Sequence, residues 1–163
     1  MAPPQLRRWK ALVAGASGGL IASLAMSEFH SLFPHVERRS QPAGEDSTIK
    51  TASAISQAIF QHRLTVAQKQ MAGPVVHYSF GTTMGALYGV LADSRDATRL
   101  GWGLPFGAAI WLGAHVITVP ALGLSEPITR EAPATEAVEF ASHLVYGAVV
   151  EGIRRTLRKY LVR

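Results

Sequence analysis

Five ionisable residues fall within or beside long apolar tracts of this chain: Glu28, His77, His115, Glu139 and His143. Carboxylates and neutral imidazoles together supply hydrogen-bonded pairs, proton relays and metal ligands. Glu139 and His143 are four apart, hence on one helical face, and with His115 they are expected to form one buried polar cluster. Three chemistries suit such a set. The first is structural, carboxylate–imidazole hydrogen bonds that hold helices together. The second is a site handling protons or a divalent metal. The third is a haem held by two histidines from facing helices. The chain has no cysteine, which excludes disulfides, thiolate metal sites, iron–sulfur clusters and cysteine nucleophiles. There is no HExxH, Gly-x-Ser-x-Gly, P-loop or dinucleotide fingerprint. Gly15-Ala-Ser-Gly18-Gly19 has neither a preceding strand nor a Lys-Ser/Thr to make a phosphate loop. No residue is assigned a catalytic role, and the chain reads as non-enzymatic.

The elements that must position these groups are apolar helices. The 163 residues are 48% hydrophobic with a mean hydropathy of +0.16, an average that hides a strongly uneven charge distribution. A bilayer core about 30 Å thick needs about 20 apolar residues of helix. Four tracts meet that length, at about 9–29, 74–92, 100–124 and 134–153. The fourth is the most polar, with Glu136, Glu139, His143 and Glu151. Pro74 is expected at a helix start, and Pro105 and Pro120 are expected to bend the third tract. Between the first two tracts, Asp46-Ser47 can cap a helix, and Ile49, Ala52, Ile55, Ile59 and Val66 recur at roughly helical spacing. Residues 47–71 thus read as an amphipathic helix on the membrane surface or folded back on the bundle. Ser40 to Glu45 is the stretch expected to be flexible. The fold class is all-α: one integral membrane domain, a bundle of about four transmembrane helices plus one amphipathic surface helix. A cleavable signal peptide ending near Ser23-Leu24-Ala25 is the rival reading of the N-terminus. The length of that tract, its glycines and the spans that follow weigh against it.

Small residues mark the faces where these helices should meet. Gly15 and Gly19, then Gly81, Gly85 and Gly89, then Gly103 and Gly107 recur every fourth residue. Each set flattens one helical face and lets backbones approach where lipid gives no hydrophobic drive to association. The same faces suit packing within one subunit or a homo-oligomer.

The net charge of +5 and pI near 10.0 do not indicate nucleic acid, because the cations cluster beside apolar tracts. Arg154, Arg155, Arg158 and Lys159 read as headgroup-binding. The two ends of the chain and the 93–99 connection hold ten Lys and Arg, against six on the other side. The positive-inside tendency therefore puts both termini in the cytoplasm. On that topology the five ionisable residues lie in the outer half of the bilayer. Trp9, Trp102 and Tyr160 lie at span ends, where interfacial aromatics belong.

From His115 the sequence His-Val-Ile-Thr-Val-Pro120-Ala-Leu-Gly123-Leu124-Ser-Glu-Pro127, then Ser142-His143-Leu144-Val145 and Glu151-Gly-Ile-Arg154-Arg155-Thr-Leu-Arg158, resembles the YagU-type inner-membrane proteins of bacteria. A looser match covers Val76-His77-Tyr78-Ser79 with Gly85 and Tyr88. The resemblance implies a bacterial inner-membrane protein of several helices, in a family whose molecular function is unknown. It brings no catalytic residues, and it draws attention to His115, Pro120 and His143. The final connection is shorter than the family layout implies. The leading expectation is a non-enzymatic membrane protein, stand-alone or an accessory subunit of a larger membrane complex, with lipid as its first partner. The alternative is a small transport, proton- or metal-handling protein, or a haem-binding subunit, built on the Glu/His cluster.

Overall fold

The computed structural model describes residues 4–34, 47–94 and 101–161. The stretch from Ser40 to Glu45 and the Asp46 cap lie outside the described residues. Every extended element among those described is helical: α1 (Pro4–Ser31), α2 (Ser47–Phe60), α3 (Val66–Ser94), α4 and α5 (Pro133–Leu161). Helix α4 is α-helical over Leu104–Ile110, widens to a π-helix over Trp111–Thr118, and closes over Val119–Ala121. A single 3-10 turn at Ile128–Arg130 precedes α5.

Helices α1, α3 and α5 have 28, 29 and 29 residues, so each is about 43 Å long. Two helices, Arg8–Ser31 and Gly101–Ala121, are both long and apolar enough to cross a membrane. The other two long helices carry more polar groups, among them His77, Thr82 and Thr83 in α3 and Glu136, Glu139 and His143 in α5.

The helix expected over 47–71 is in fact two. Gln61 takes a left-handed conformation at φ 51° after α2. Thr65 and Gln68 then form a capping box that starts α3: Gln68 Oε1 accepts from Thr65 N at 2.8 Å, and Gln68 N donates to Thr65 Oγ1 at 3.4 Å. Pro74 consequently lies inside α3 rather than at its start. Pro105 sits in the first turn of α4, where a missing N–H costs nothing. Pro120 follows the π-helical stretch, in which Thr118 Oγ1 donates to Gly113 O at 2.6 Å. The third tract stops short of residue 124. Gly123, at φ 70°, accepts the left-handed turn there, its N donating to Pro120 O at 2.9 Å and Leu124 N to Val119 O at 3.0 Å.

Consecutive long helices run antiparallel, and glycine sets how they touch. A β-carbon placed on Gly15 would lie 2.8 Å from Gly89 Cα, and one on Gly19 would lie 2.9 Å from Gly85 Cα. The α1–α3 crossing is therefore backbone against backbone. Helix α1 meets α5 through Gly18, whose β-carbon would lie 3.0 Å from Val150 O. Helix α4 meets α5 through Gly103, Gly107 and Gly147; a β-carbon on Gly107 would lie 2.9 Å from His143 C. Between these contacts sits a core of Ala22, Met26, Tyr88, Ala92, Tyr146 and Val150. Tyr146 spans it, its hydroxyl donating to Gly81 O at 2.5 Å, while the Tyr88 and Phe106 rings lie 4.6 Å apart.

Gly85 offers the sharpest test of this packing. Its β-carbon would meet Gly19 N at 2.7 Å, backbone that cannot turn aside, whereas one on Gly152 meets nothing within 4 Å. Gly85→Ala is expected to destabilise the protein by about 1–3 kcal/mol. Gly152→Ala should be neutral or stabilising by up to about 1 kcal/mol. Thermal unfolding of both variants in mild detergent checks the contrast.

Candidate functional site

The antiparallel arrangement sorts the polar side chains to two ends of the bundle. At the end remote from the chain termini, four helices each bring one histidine: His30 from α1, His77 from α3, His115 from α4 and His143 from α5. Helix periodicity puts Glu136, Glu139 and His143 on one face of α5, and the turns of α5 select their partners. His143 Nδ1 donates to Glu139 O at 2.7 Å, which fixes its tautomer and leaves Nε2 as the acceptor. The His115 and His143 rings lie 6.1 Å apart, and His30 and His77 are within electrostatic reach of His143. His115 Nε2 sits 3.3 Å from Glu136 Oε2. His30 Nε2 sits 3.6 Å from Glu139 Oε1, an ion-pair spacing and longer than a hydrogen bond. His77 Nε2 donates to Ser23 O at 3.3 Å.

A cavity of about 60 Å³ opens among these helices, lined by Ser23, Met26, His77, Phe80, Gly81, Ile110, His143 and Tyr146. Its walls are mostly apolar, with two imidazoles and the Tyr146 phenol as its titratable groups. That volume holds a few water molecules and is far too small for a porphyrin.

The structure thus brings His77, His115, Glu139 and His143 to one end but pairs them differently from the sequence expectation. The carboxylate against His115 is Glu136, one turn before Glu139, and the Glu139 side chain faces His30 instead. Glu28 is exposed, its carbonyl accepting from Ser31 Oγ at 2.7 Å, and the structure gives its carboxylate no place in the group. Among the described residues, no three His, Asp or Glu side chains come together at a spacing that holds a metal ion.

The end nearer the termini is built differently. Glu151 is fully buried. Arg154 grips it with Nε at 2.7 Å and Nη2 at 3.0 Å, and Arg155 Nε reaches it at 2.5 Å. The Tyr88 hydroxyl bonds to the same carboxylate from α3. Arg155 also lies over the Trp102 ring, 4.1 Å from its centroid, and Arg158 pairs with Asp93 of α3. Arg154, Arg155 and Arg158, expected at lipid headgroups, are therefore engaged inside the molecule, with Arg154 only 5% exposed. Lys159 is exposed. The i+3 and i+4 spacing of the arginines from Glu151 makes the pairing within α5 legible from sequence. Nothing local in the sequence marks Tyr88, Trp102 or Asp93 as their partners across the bundle.

A family model described as "Protein of unknown function (DUF1440)" matches residues 15–152, which takes in the glycine crossings and most of both polar ends. The chain belongs to this family. Neither curated proteins nor solved structures give a match to it. Within the DUF1440 match lie all four clustered histidines, Glu136, Glu139 and Glu151, while the arginines that grip Glu151 follow its end.

A buried ion pair that loses one partner leaves an uncompensated charge. Glu151→Ala strands Arg154 and is expected to cost about 3–5 kcal/mol, whereas Glu126→Ala removes only an exposed partner of Arg130 and should cost under about 1 kcal/mol. Chemical or thermal unfolding of the two purified variants measures the difference.

Proposed function

We propose that this protein is a non-enzymatic integral component of the bacterial inner membrane. In this reading α1, α3, α4 and α5 all cross the bilayer, and both termini lie in the cytoplasm. Its role is that of a packing element, stand-alone or as an accessory subunit of a membrane complex, with lipid and neighbouring membrane helices as its partners and no nucleic acid among them. One observation carries the reading. In Gly101–Ala121 only 6% of the apolar stretch is buried within the chain, against 39% for α1. Leu112 and Ile117 are 51% and 56% exposed there. An apolar helix left so uncovered suits hydrocarbon and not water. Trp9, Trp102 and Tyr160, all well exposed at the end nearer the termini, fit the headgroup level.

The absence of native cysteine makes the topology directly testable. Single substitutions Gln61→Cys, Ser94→Cys and Lys159→Cys are treated in intact cells with a membrane-impermeant maleimide. Gln61→Cys is expected to label at once, and the other two only after the membrane is opened. Labelling of all three in intact cells, or of none, contradicts the four-span topology.

The four-helix convergence of histidines favours a second reading, in which that end of the bundle takes up and releases protons. In that reading the charge on one ring bears on its neighbour, the His115 and His143 rings lying 6.1 Å apart. NMR titration of isotope-labelled histidine in detergent should then show that His115→Ala moves the midpoint of His143. Unchanged midpoints would reduce the cluster to helix-to-helix contacts.

A further inference from the structure

The cavity at the histidine end is lined by donor side chains from three helices: Met26 of α1, His77 of α3 and His143 of α5. The hydroxyls beside them are already spent. Ser23 Oγ donates to Gly19 O at 3.0 Å, and Tyr146 donates to Gly81 O. Each imidazole also gives its N–H to a backbone carbonyl, His143 from Nδ1 to Glu139 O and His77 from Nε2 to Ser23 O. Nδ1 of His143 is thereby turned back to the preceding turn of α5, and Nε2 is the nitrogen directed away from that helix. Among the described residues, His143 Nε2 has no hydrogen-bond partner, although the residue is only 9% exposed. A buried acceptor left unmet calls for a ligand that takes its lone pair.

The donor set and its charge narrow the choice. A histidine N–H fixed on a backbone carbonyl is the usual second contact of a metal-bound imidazole, because it sets the tautomer and the ring orientation. Among the described residues no third His, Asp or Glu completes a metal-ligand group, and no carboxylate lines the cavity. A divalent ion would enter this buried place with no anion to offset either charge. The third donor is a thioether, and thioether sulfur selects soft copper(I), a monovalent ion that imidazole also suits. Met26 is 7% exposed and unbranched, so its sulfur can turn toward an ion without moving the backbone. The volume of about 60 Å³ has room for one such ion.

We infer that this cavity binds one copper(I) ion through the Met26 sulfur and the open nitrogens of His77 and His143. The ion enters and leaves as copper(I), so no electron is transferred. The inference goes beyond the proton reading, which uses His143 but needs neither Met26 nor a metal.

The test supplies copper(I) under ascorbate to the full chain in mild detergent, with bicinchoninate competing for the metal. The unaltered protein is expected to keep one copper per chain and to unfold at a higher temperature once loaded. Met26→Leu keeps volume and apolar character, so it removes the ligand and spares the fold. It should weaken binding at least about tenfold, the smaller loss seen when even an outer partner of a metal ligand is removed. His143→Gln should weaken binding likewise, whereas His115→Ala, outside the cavity lining, should hold copper as the unaltered protein does. X-ray absorption at the copper edge should show sulfur and nitrogen neighbours together, with the sulfur lost in Met26→Leu. Copper held equally well by the unaltered protein, Met26→Leu and His143→Gln lies elsewhere and overturns the inference. Loss of all copper from the unaltered protein to bicinchoninate overturns it as well, and so does displacement of the copper by an equal amount of zinc(II). None of these outcomes bears on the effect of His115→Ala on the His143 midpoint, which decides the proton reading separately.

Discussion

The close crossing of α1 and α3 is the constraint on which the rest of this structure depends. Gly15 and Gly19 on one helix and Gly81, Gly85 and Gly89 on the other bring two backbones together with no side chain between them. In the proposed membrane setting, where burying apolar surface gains little over leaving it among acyl chains, such contact replaces the hydrophobic effect as the source of cohesion. The same separation lets Tyr146 of α5 reach the carbonyl of Gly81 and His77 of α3 reach the carbonyl of Ser23. Helix α5 then docks on α1 at Gly18, and α4 docks on α5 through a second set of glycines.

Once antiparallel helices are fixed at this spacing, their polar residues gather at two ends with different characters. The end nearer the termini is saturated: a buried carboxylate meets two arginines and a tyrosine, and a second ion pair joins α3 to α5. Breaking any of these leaves a charge in a poorly solvated place, so this end behaves as a lock. The opposite end is looser. Its imidazole–carboxylate spacings run from 3.3 to 3.6 Å and it borders a cavity. Imidazoles held by such long contacts beside a cavity can change partners with little movement of the helices. The glycine contacts supply a rigid frame around this adjustable end.

Much of this was legible in the sequence because hydrophobic length and small-residue spacing are local properties. The glycines at every fourth residue marked the contact faces, and the shared depth of His77, His115, Glu139 and His143 marked one end of the bundle. Partners across helices were not legible. Glu136 and Glu139 lie on one face of α5 a turn apart, and only the height at which α4 docks selects Glu136 for His115. Gly147 stands outside any four-residue glycine series, so its contact with Gly103 and Gly107 could not be anticipated. The break between α2 and α3 escaped notice because the Thr65–Gln68 capping box lies within a continuous apolar periodicity, and Pro74 offered a more conspicuous helix start. Arg154, Arg155 and Arg158 looked like headgroup ligands for a related reason. Cations beside an apolar tract suit a membrane surface; the Glu151 pairing within α5 was legible from its spacing, but only the tertiary structure reveals Asp93, Tyr88 and Trp102 around them.

The central claim is that α4 crosses the bilayer although the chain itself covers so little of it, and the two tryptophans of that helix test it most directly. Trp102 and Trp111 are nine residues apart, hence about 13 Å along the axis. In liposomes of lipids brominated at chosen depths, variants that keep only one tryptophan report its depth through fluorescence quenching. The account predicts that Trp102 is quenched best by bromines near the headgroups and Trp111 by bromines near the bilayer centre. Equal, shallow quenching of both would lay α4 along the membrane surface and contradict the account.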